Sequence, residues 1–242
     1  MKVSFVLPAY NEEESIGATI NEIKTAANKL LSKGLITDYE IVIVDNNSKD
    51  RTKEIAESFE AKVVIEKKQG YGAAYKTGFK KATGDVIITG DSDGSYPFID
   101  LDKFFEEINN YDFITTNRFH ELQPGSMPII NYIGNKILTL TTNILFGAKL
   151  KDSQSGMWIF NKEFLNEIDF ELMGDGMPFS EQIKLFAIFL NKRVKEIPIT
   201  YRKRVGKKKL NALKDGLDNF LALFRFKHSL KKRYLKTKIK QK

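Results

Sequence analysis

Short apolar runs alternate with amphipathic helical stretches from the first residues of this chain, and that alternation limits its fold more than any other feature. Val3 to Leu7 reads as a strand, Ser15 to Leu31 as a helix, Glu40 to Val44 as a strand and Thr52 to Phe59 as a helix. Val63 to Ile65, Tyr71 to Lys81 and Asp85 to Thr89 repeat the pattern as strand, helix and strand. Strands separated by helices of roughly 10–15 residues form βαβ units and a mostly parallel sheet covered on both faces. Ligands of such sheets lie beyond the carboxyl ends of the strands. Pro8-Ala9-Tyr10-Asn11, Asp45-Asn46-Asn47-Ser48 and Asp91-Ser92-Asp93 all fall there, so three polar clusters are expected to converge on one crevice.

Past Pro97 the pattern loosens. Asp102 to Ile108 reads as a helix, Phe113 to Thr116 as a strand, and a Pro/Gly loop from Gln123 to Pro128 precedes a long apolar helix from Ile129 to Phe146. Gly156 to Phe160 is a further strand, Ser180 to Leu190 a helix, Val194 to Thr200 a last strand and Asn211 to Phe226 a closing amphipathic helix. There is no internal repeat and no linker long enough to separate domains. The expected organisation is one α/β domain over residues 1–213 and an amphipathic helix with a basic tail over residues 214–242.

The 242 residues suffice to bury a substantial core, and 42% hydrophobic with 29% charged residues excludes a disordered chain. No apolar run reaches the length of about 18 residues that a membrane span needs, and Met1-Lys2-Val3 opens into a strand rather than a signal peptide, so a cytoplasmic location is expected. Zero cysteines exclude disulfides, thiolate metal sites and cysteine nucleophiles. The net charge of +8 is concentrated in the tail. No acidic residue follows Asp218, whereas Arg225, Lys227, Lys231, Lys232, Arg233, Lys236, Lys238, Lys240 and Lys242 do. Such a local excess suits a polyanionic surface or a solvated terminus.

Asp91-Ser92-Asp93 ends the apolar strand Val86-Ile87-Ile88-Thr89 and leads into a loop closed by Gly94 and Pro97. Two carboxylates one residue apart on a turning backbone can both reach one hard cation, which commonly shares its oxygen ligands with substrate phosphates. Gly70-Tyr71-Gly72 imitates a dinucleotide fingerprint, but the third glycine position is Tyr75, so that reading is rejected. Lys67, Lys68 and the following helix amino terminus stay open as diphosphate partners. His120 is read as a loop residue, His228 as a tail residue, and Met157, Trp158, Ile159 and Phe160 as core. The basic loop Arg202, Lys203, Arg204, Lys207, Lys208 and Lys209 follows the last strand and is a phosphate clamp or a solvated surface.

Val6-Leu7-Pro8-Ala9-Tyr10-Asn11-Glu12-Glu13, Val44-Asp45-Asn46-Asn47-Ser48-Lys49-Asp50 and Gly84-Asp85 with Asp91-Ser92-Asp93-Gly94 resemble family 2 glycosyltransferases of the GT-A fold. Asn117-Arg118-Phe119, Asp152-Ser153-Gln154-Ser155-Gly156 and Tyr201-x-x-Arg204-x-Gly206-x-x-Lys209-Leu210 are similar to the dolichol-phosphate mannose synthase branch. The resemblance implies that Pro8, Tyr10, Glu12 and Asp45 frame the nucleotide of a GDP- or UDP-sugar, and that Asp91 and Asp93 hold Mg²⁺ or Mn²⁺ against its diphosphate. It implies phosphate contacts for Arg118, Arg204 and Lys209, and acceptor contacts for Arg118, Asp152 and Ser155. The chain departs from the family pattern at Ser95, Asn131, Trp158 and Lys208. Ser95 stands where a Gln often follows the metal motif, which leaves the third metal ligand open.

The expected activity is inverting transfer of a hexose, mannose or glucose, from GDP-mannose or a UDP-hexose to a polyprenyl phosphate. The enzyme would sit peripherally on the cytoplasmic face of an anionic membrane. A lipid phosphate is already anionic near neutral pH and needs no base. Ile129 to Phe146, with Leu217, Phe220, Leu221, Phe224 and Leu230, supplies apolar surface for the bilayer or for the core. A family 2 enzyme acting on a sugar hydroxyl is the first alternative, with Asp152, Asp175 or Glu181 as base. A non-catalytic nucleic-acid or membrane-binding module is the second. Nucleic acid is not the expected partner, because no matching motif accompanies the basic tail.

Overall fold

The computed structural model describes residues 1–207, 209 and 212–240, without the side chains of 212 and 235–240. Lys208, Leu210, Asn211 and Lys242, named above, lie outside the described residues, as do the side chains of Lys236, Lys238 and Lys240. Seven strands form one sheet: β1 (Lys2–Ala9), β2 (Asp38–Asp45), β3 (Lys62–Ile65), β4 (Val86–Thr89), β5 (Phe113–Leu122), β6 (Trp158–Asn161) and β7 (Val194–Tyr201). Their order is β3-β2-β1-β4-β6-β5-β7. All run the same way except β6, which is antiparallel to both β4 and β5.

The helices are α1 (Ile16–Ser32), α2 (Thr52–Ser58), α3 (Tyr71–Lys81), α4 (Asp102–Phe105), α5 (Ile129–Phe146), α6 (Phe179–Phe189) and α7 (Ala212–Lys240). Strand residues alternate between two cores, as a pleated backbone requires. Val3, Phe5, Leu7, Ile41, Ile43, Val86 and Ile88 pack against the helices of one face, which include α1. Val6, Val42, Val44 and Ile87 pack on the other face with residues of α3, α6 and α7. This is the GT-A arrangement, a mostly parallel sheet with helices on both sides.

Three elements differ from the sequence expectation. Helix α4 stops at Phe105, because Glu107 and Asn110 close turns onto the Phe104 and Glu107 carbonyls, and Asn109-Asn110 favours turns over a continuing helix. Strand β5 runs on to Leu122, since Glu121 and Leu122 pair with Thr200 and Tyr201 beyond an irregularity after Asn117. His120 is therefore an exposed strand residue, not a loop residue. Helix α7 continues past Phe226 to Lys240, so the described part of the tail is helical and not a loose terminus. Leu230 is buried, Tyr234 packs edgewise on Phe186 and Phe189, and Lys227 Nζ donates to the Leu145 carbonyl.

Helix α5 is the exception to inward-facing packing. Leu138, Thr139 and Thr142 are buried, but Ile129 and Ile144 are each 72% exposed, and Ile133, Ile137 and Leu140 are exposed beside them. It packs against α7, whose Leu213, Leu217, Leu221 and Phe224 are exposed as well. No helix among the described residues is long and apolar enough to cross a membrane.

Candidate active site

The carboxyl ends of β1, β2 and β4 meet as the topology requires. Asn11 and Asn47 both adopt left-handed backbone conformations, which turn their loops sharply at the strand ends. The Asn11 amide donates to Ser48 Oγ at 3.0 Å, and the Lys49 amide donates to Asn11 Oδ1 at 2.7 Å. Asn46 donates its amide to the Ala9 carbonyl, and Ser92 Oγ donates to the Pro8 carbonyl at 2.8 Å. Asp45 is buried at this junction, and its Oδ1 accepts from the Ser48 amide at 3.3 Å.

Asp91 and Asp93 lie at the rim. Tyr71 Oη donates to Asp91 Oδ1 at 3.1 Å, while Asp93 Oδ1 accepts from the amide and hydroxyl of Ser95 at 3.0 and 2.5 Å. Ser95 thus spends both its donors on Asp93. Burial first, then the charge of Asp93, push the Asp91 carboxyl up to about 7. Two crowded carboxylates with only oxygen donors fit a hard divalent cation, which would relieve that repulsion. Among the described residues no cluster of three His, Cys, Asp or Glu side chains completes a metal cage. Mg²⁺ is commonly held by one or two carboxylates and completes its shell with substrate phosphate and water.

Glu12 gathers the basic loop. Its Oε1 accepts from Arg204 Nη2 at 3.0 Å and from Lys209 Nζ at 2.5 Å, and Lys209 also donates to the Asn11 carbonyl. Arg204 Nη1 stands 3.5 Å from Asp93 Oδ2, and the Val205 amide donates to the Asp93 carbonyl. Among the described residues the buried Arg204 Nε has no acceptor. Burial raises the Glu12 carboxyl, and the Lys209 hydrogen bond works against it. Arg202 instead pairs with Glu22 on α1.

Arg118 and Asp152 form a bidentate pair, with Nε to Oδ2 at 2.7 Å and Nη2 to Oδ1 at 2.9 Å. Burial acts to raise Asp152, but the charge and hydrogen bonds of Arg118 together with the charge of Lys184 outweigh it and hold the carboxyl below its ordinary range. Asp152 is fully buried, so it holds Arg118 instead of facing an acceptor. Ser155, likewise fully buried, hydrogen-bonds Thr116 and Tyr96 and has no free face for an acceptor either. Asp175 is spent on Lys68 and Lys76 at 2.5 and 2.6 Å. The amides of Gly72 and Ala73 donate to the Gly176 and Asp175 carbonyls. Two amides at the amino terminus of α3, and Lys68, are thus engaged by the chain itself in this structure. Gly70 owes its identity to that packing, because a Cβ there would collide with the Asp175 carbonyl at a φ of +151°.

A cleft of about 890 Å³ joins these groups. Asp91, Asp93, Arg118 and Arg204 line one end, and Ile129, Ile133, Ile137, Leu213, Leu217 and Phe220 line the other. Pro8, Tyr10, Glu12 and Asp45 lie outside its lining, and Glu12 is joined to it through Arg204. Sequence reasoning passed over Tyr71 and Tyr96, whose hydroxyls meet Asp91 and the Gly156 amide at 3.1 and 2.6 Å. It also passed over Gln154, which accepts from Asn219 of α7. An isolated tyrosine or amide carries no periodicity, so only the fold reveals these roles.

Residues 4–169 match the glycosyl transferase family 2 model. The low-salt glycan biosynthesis hexosyltransferase Agl6 of Haloferax volcanii is 34% identical over 88% of this chain, which spans 51% of that protein. The dolichyl-phosphate hexose transferase of the same organism is 31% identical over 88% of this chain and 89% of its own length. Among solved structures, glucosyl-3-phosphoglycerate synthase from Mycobacterium tuberculosis with Mn²⁺, UDP and glucosyl-3-phosphoglycerate superposes with a TM-score of 0.70 at 17% identity, covering 93% of this chain and 79% of that one. At that identity the likeness speaks to the fold alone.

Proposed function

The chain belongs to glycosyl transferase family 2 and is a glycosyltransferase, and from that premise we propose that it moves a hexose from a nucleotide diphosphate donor to the phosphate of a polyprenyl lipid, with inversion. The observation that carries this reading is the continuous cleft, which begins at two acidic and two guanidinium side chains and ends among exposed apolar residues of α5 and α7. A phosphate with a long hydrocarbon tail has both chemistries in one molecule. The related dolichyl-phosphate hexose transferase supports the same acceptor class.

An oxygen of the lipid phosphate attacks the anomeric carbon, the bond from that carbon to the donor's β-phosphate oxygen breaks, and a nucleoside diphosphate leaves. The attacking oxygen is already anionic, so no proton needs removal. This agrees with the state of the three candidate bases. Asp152 is tied to Arg118, Asp175 to two lysines, and Glu181 is buried against Thr142. Pro8, Tyr10, Glu12 and Asp45 would frame the nucleotide. Arg204 and Lys209 would turn from Glu12 to the departing diphosphate, with Arg204 Nε already free of a partner among the described residues. Asp91 and Asp93 would hold Mg²⁺ or Mn²⁺, which supplies Lewis-acid charge for the diphosphate. The glucosyl-3-phosphoglycerate synthase structure, which shares this fold, holds Mn²⁺ together with UDP.

The exposed apolar residues of α5 and α7 would rest on the cytoplasmic leaflet, with the basic residues of α7 against anionic headgroups. The deciding assay offers radiolabelled GDP-mannose, UDP-glucose and UDP-GlcNAc together with polyprenyl phosphate. Label from one donor should enter the organic phase only when the lipid phosphate is present. Label that remains water-soluble and grows only with added sugar acceptors would favour a hydroxyl acceptor.

A further inference from the structure

Lys184 is fully buried on α6, a helix whose residues 179–187 are all buried. Lysine is seldom found so deep without a specific partner. Its Nζ donates to the Ser155 carbonyl at 2.5 Å, and the same oxygen accepts from Trp158 Nε1 at 2.7 Å and Ser180 Oγ at 3.2 Å. Three donors converge on an acceptor with two lone pairs, so the orientation of the Ser155–Gly156 peptide is strongly determined. The charges that act on Lys184 come from several elements: Asp152 in the loop before β6, Glu181 on its own helix, Glu196 on β7 and Arg118 on β5.

The other side of that peptide faces the reaction site. With the carbonyl held by Lys184, the Gly156 amide points to Tyr96 Oη at 2.6 Å. A Cβ at Gly156 would stand 2.5 Å from Tyr71 Oη and 3.3 Å from Asp91 Oδ1. The peptide is therefore the floor on which the Tyr71–Asp91 hydrogen bond rests. We propose that Lys184 is a positioning residue for the carboxylate pair, fixing the Ser155–Gly156 peptide so that Tyr71 and Asp91 are held ready for the divalent cation. This rests on the reading of Asp91 and Asp93 as metal-bearing carboxylates. Lys184 itself touches neither metal nor substrate.

The test is direct Mn²⁺ binding by the intact protein, followed by the electron paramagnetic resonance signal of free Mn²⁺ and needing no turnover. Lys184→Met should weaken Mn²⁺ binding tenfold or more. Tyr71→Phe should weaken it too, and the double variant should be no worse than the weaker single, because both changes act through one contact. Unchanged affinity in Lys184→Met, or effects that multiply, would overturn the proposal. If Lys184→Met fails to fold, Trp158→Phe removes another donor to the same carbonyl while keeping a buried ring. It should weaken binding threefold or more, and unchanged affinity there would equally overturn the idea. A wild-type protein that binds no Mn²⁺ would overturn the metal reading, and this inference with it.

Discussion

Both carboxylate oxygens of Asp152 lie on the guanidinium of Arg118, at 2.7 and 2.9 Å, where water does not reach. Removing one partner of such a pair leaves a buried charge uncompensated, a loss of about 3–5 kcal/mol. Asp152→Ala should therefore lower unfolding stability by that order in urea titration. A residue that served as base would instead cost turnover with the unfolding midpoint unchanged.

Asp91→Asn and Asp93→Asn should each reduce turnover by orders of magnitude while the fold survives. Asp91→Asn removes a half-buried charge that Asp93 repels, so its melting temperature should hold or rise. Thermal melts alongside label transfer separate the two effects. Activity that persists in EDTA would refute the metal assignment.

Glu181 is buried, and burial pushes its carboxyl up to about 7, with hydrogen bonds from Thr142, Ser153 and Gln154 working against that rise. Glu181→Gln keeps the shape and the hydrogen-bonding capacity, so a measurable rate should remain with a lipid phosphate acceptor. Loss of all transfer with an intact melting curve would favour the hydroxyl-acceptor reading.

Cutting the chain after Lys227 would remove buried Leu230 and the Tyr234 contacts, so it would test stability more than charge. Substitutions separate the two. Lys231→Glu with Lys232→Glu should reduce sedimentation with anionic vesicles, at roughly 1 kcal/mol per well-placed charge, and high salt should do the same to the wild type. Ile133→Glu with Ile137→Glu on α5 should reduce binding to neutral vesicles as well. Sedimentation unchanged in both variants would place the membrane contact elsewhere.

Glu40 accepts from the Ser4 hydroxyl and from the Thr83 amide and hydroxyl, joining β1, β2 and the turn before β4. Burial alone would raise its carboxyl, but hydrogen bonds from Ser4 and Thr83 and the charge of Lys62 bring it to about 2. The unfolded chain therefore binds this proton first, so the contribution is complete above the ordinary Glu range and is lost as pH falls towards about 2. Glu40→Gln should flatten the fall of unfolding free energy below about pH 4.5.

Periodicity carried most of the fold. Helices α3 and α5 begin and end where their patterns do, because each has a sharp local boundary, Gly70 before Tyr71 and Gly147 in a left-handed conformation after Phe146. Strand-end clusters carried the meeting of Asn11, Ser48 and Ser92, since parallel topology brings equivalent ends together. What remained hidden was partnership. Arg118 with Asp152, and Glu12 with Arg204 and Lys209, are pairs formed across loops that share no spacing in sequence. The same holds for Lys184, whose ammonium looks from the sequence like any exposed helical charge. The length of α7 also escaped, because a run of lysines hides the anchoring effect of Leu230 and Tyr234.

The reversed direction of β6 has a consequence for how this chain can diverge. The loop that enters β6 arrives at the rim where β1, β2 and β4 leave, so two separate stretches of sequence share one workplace. Everything up to Pro97 builds the strand ends and the carboxylate pair, while the apolar wall of the cleft is drawn from residues after Ser126. Mutational drift in α5 and α7 can therefore reshape what enters the cleft without altering a residue of β1 to β4. Segment exchange with relatives at the connection between α4 and β5 is the corresponding route to hybrid enzymes.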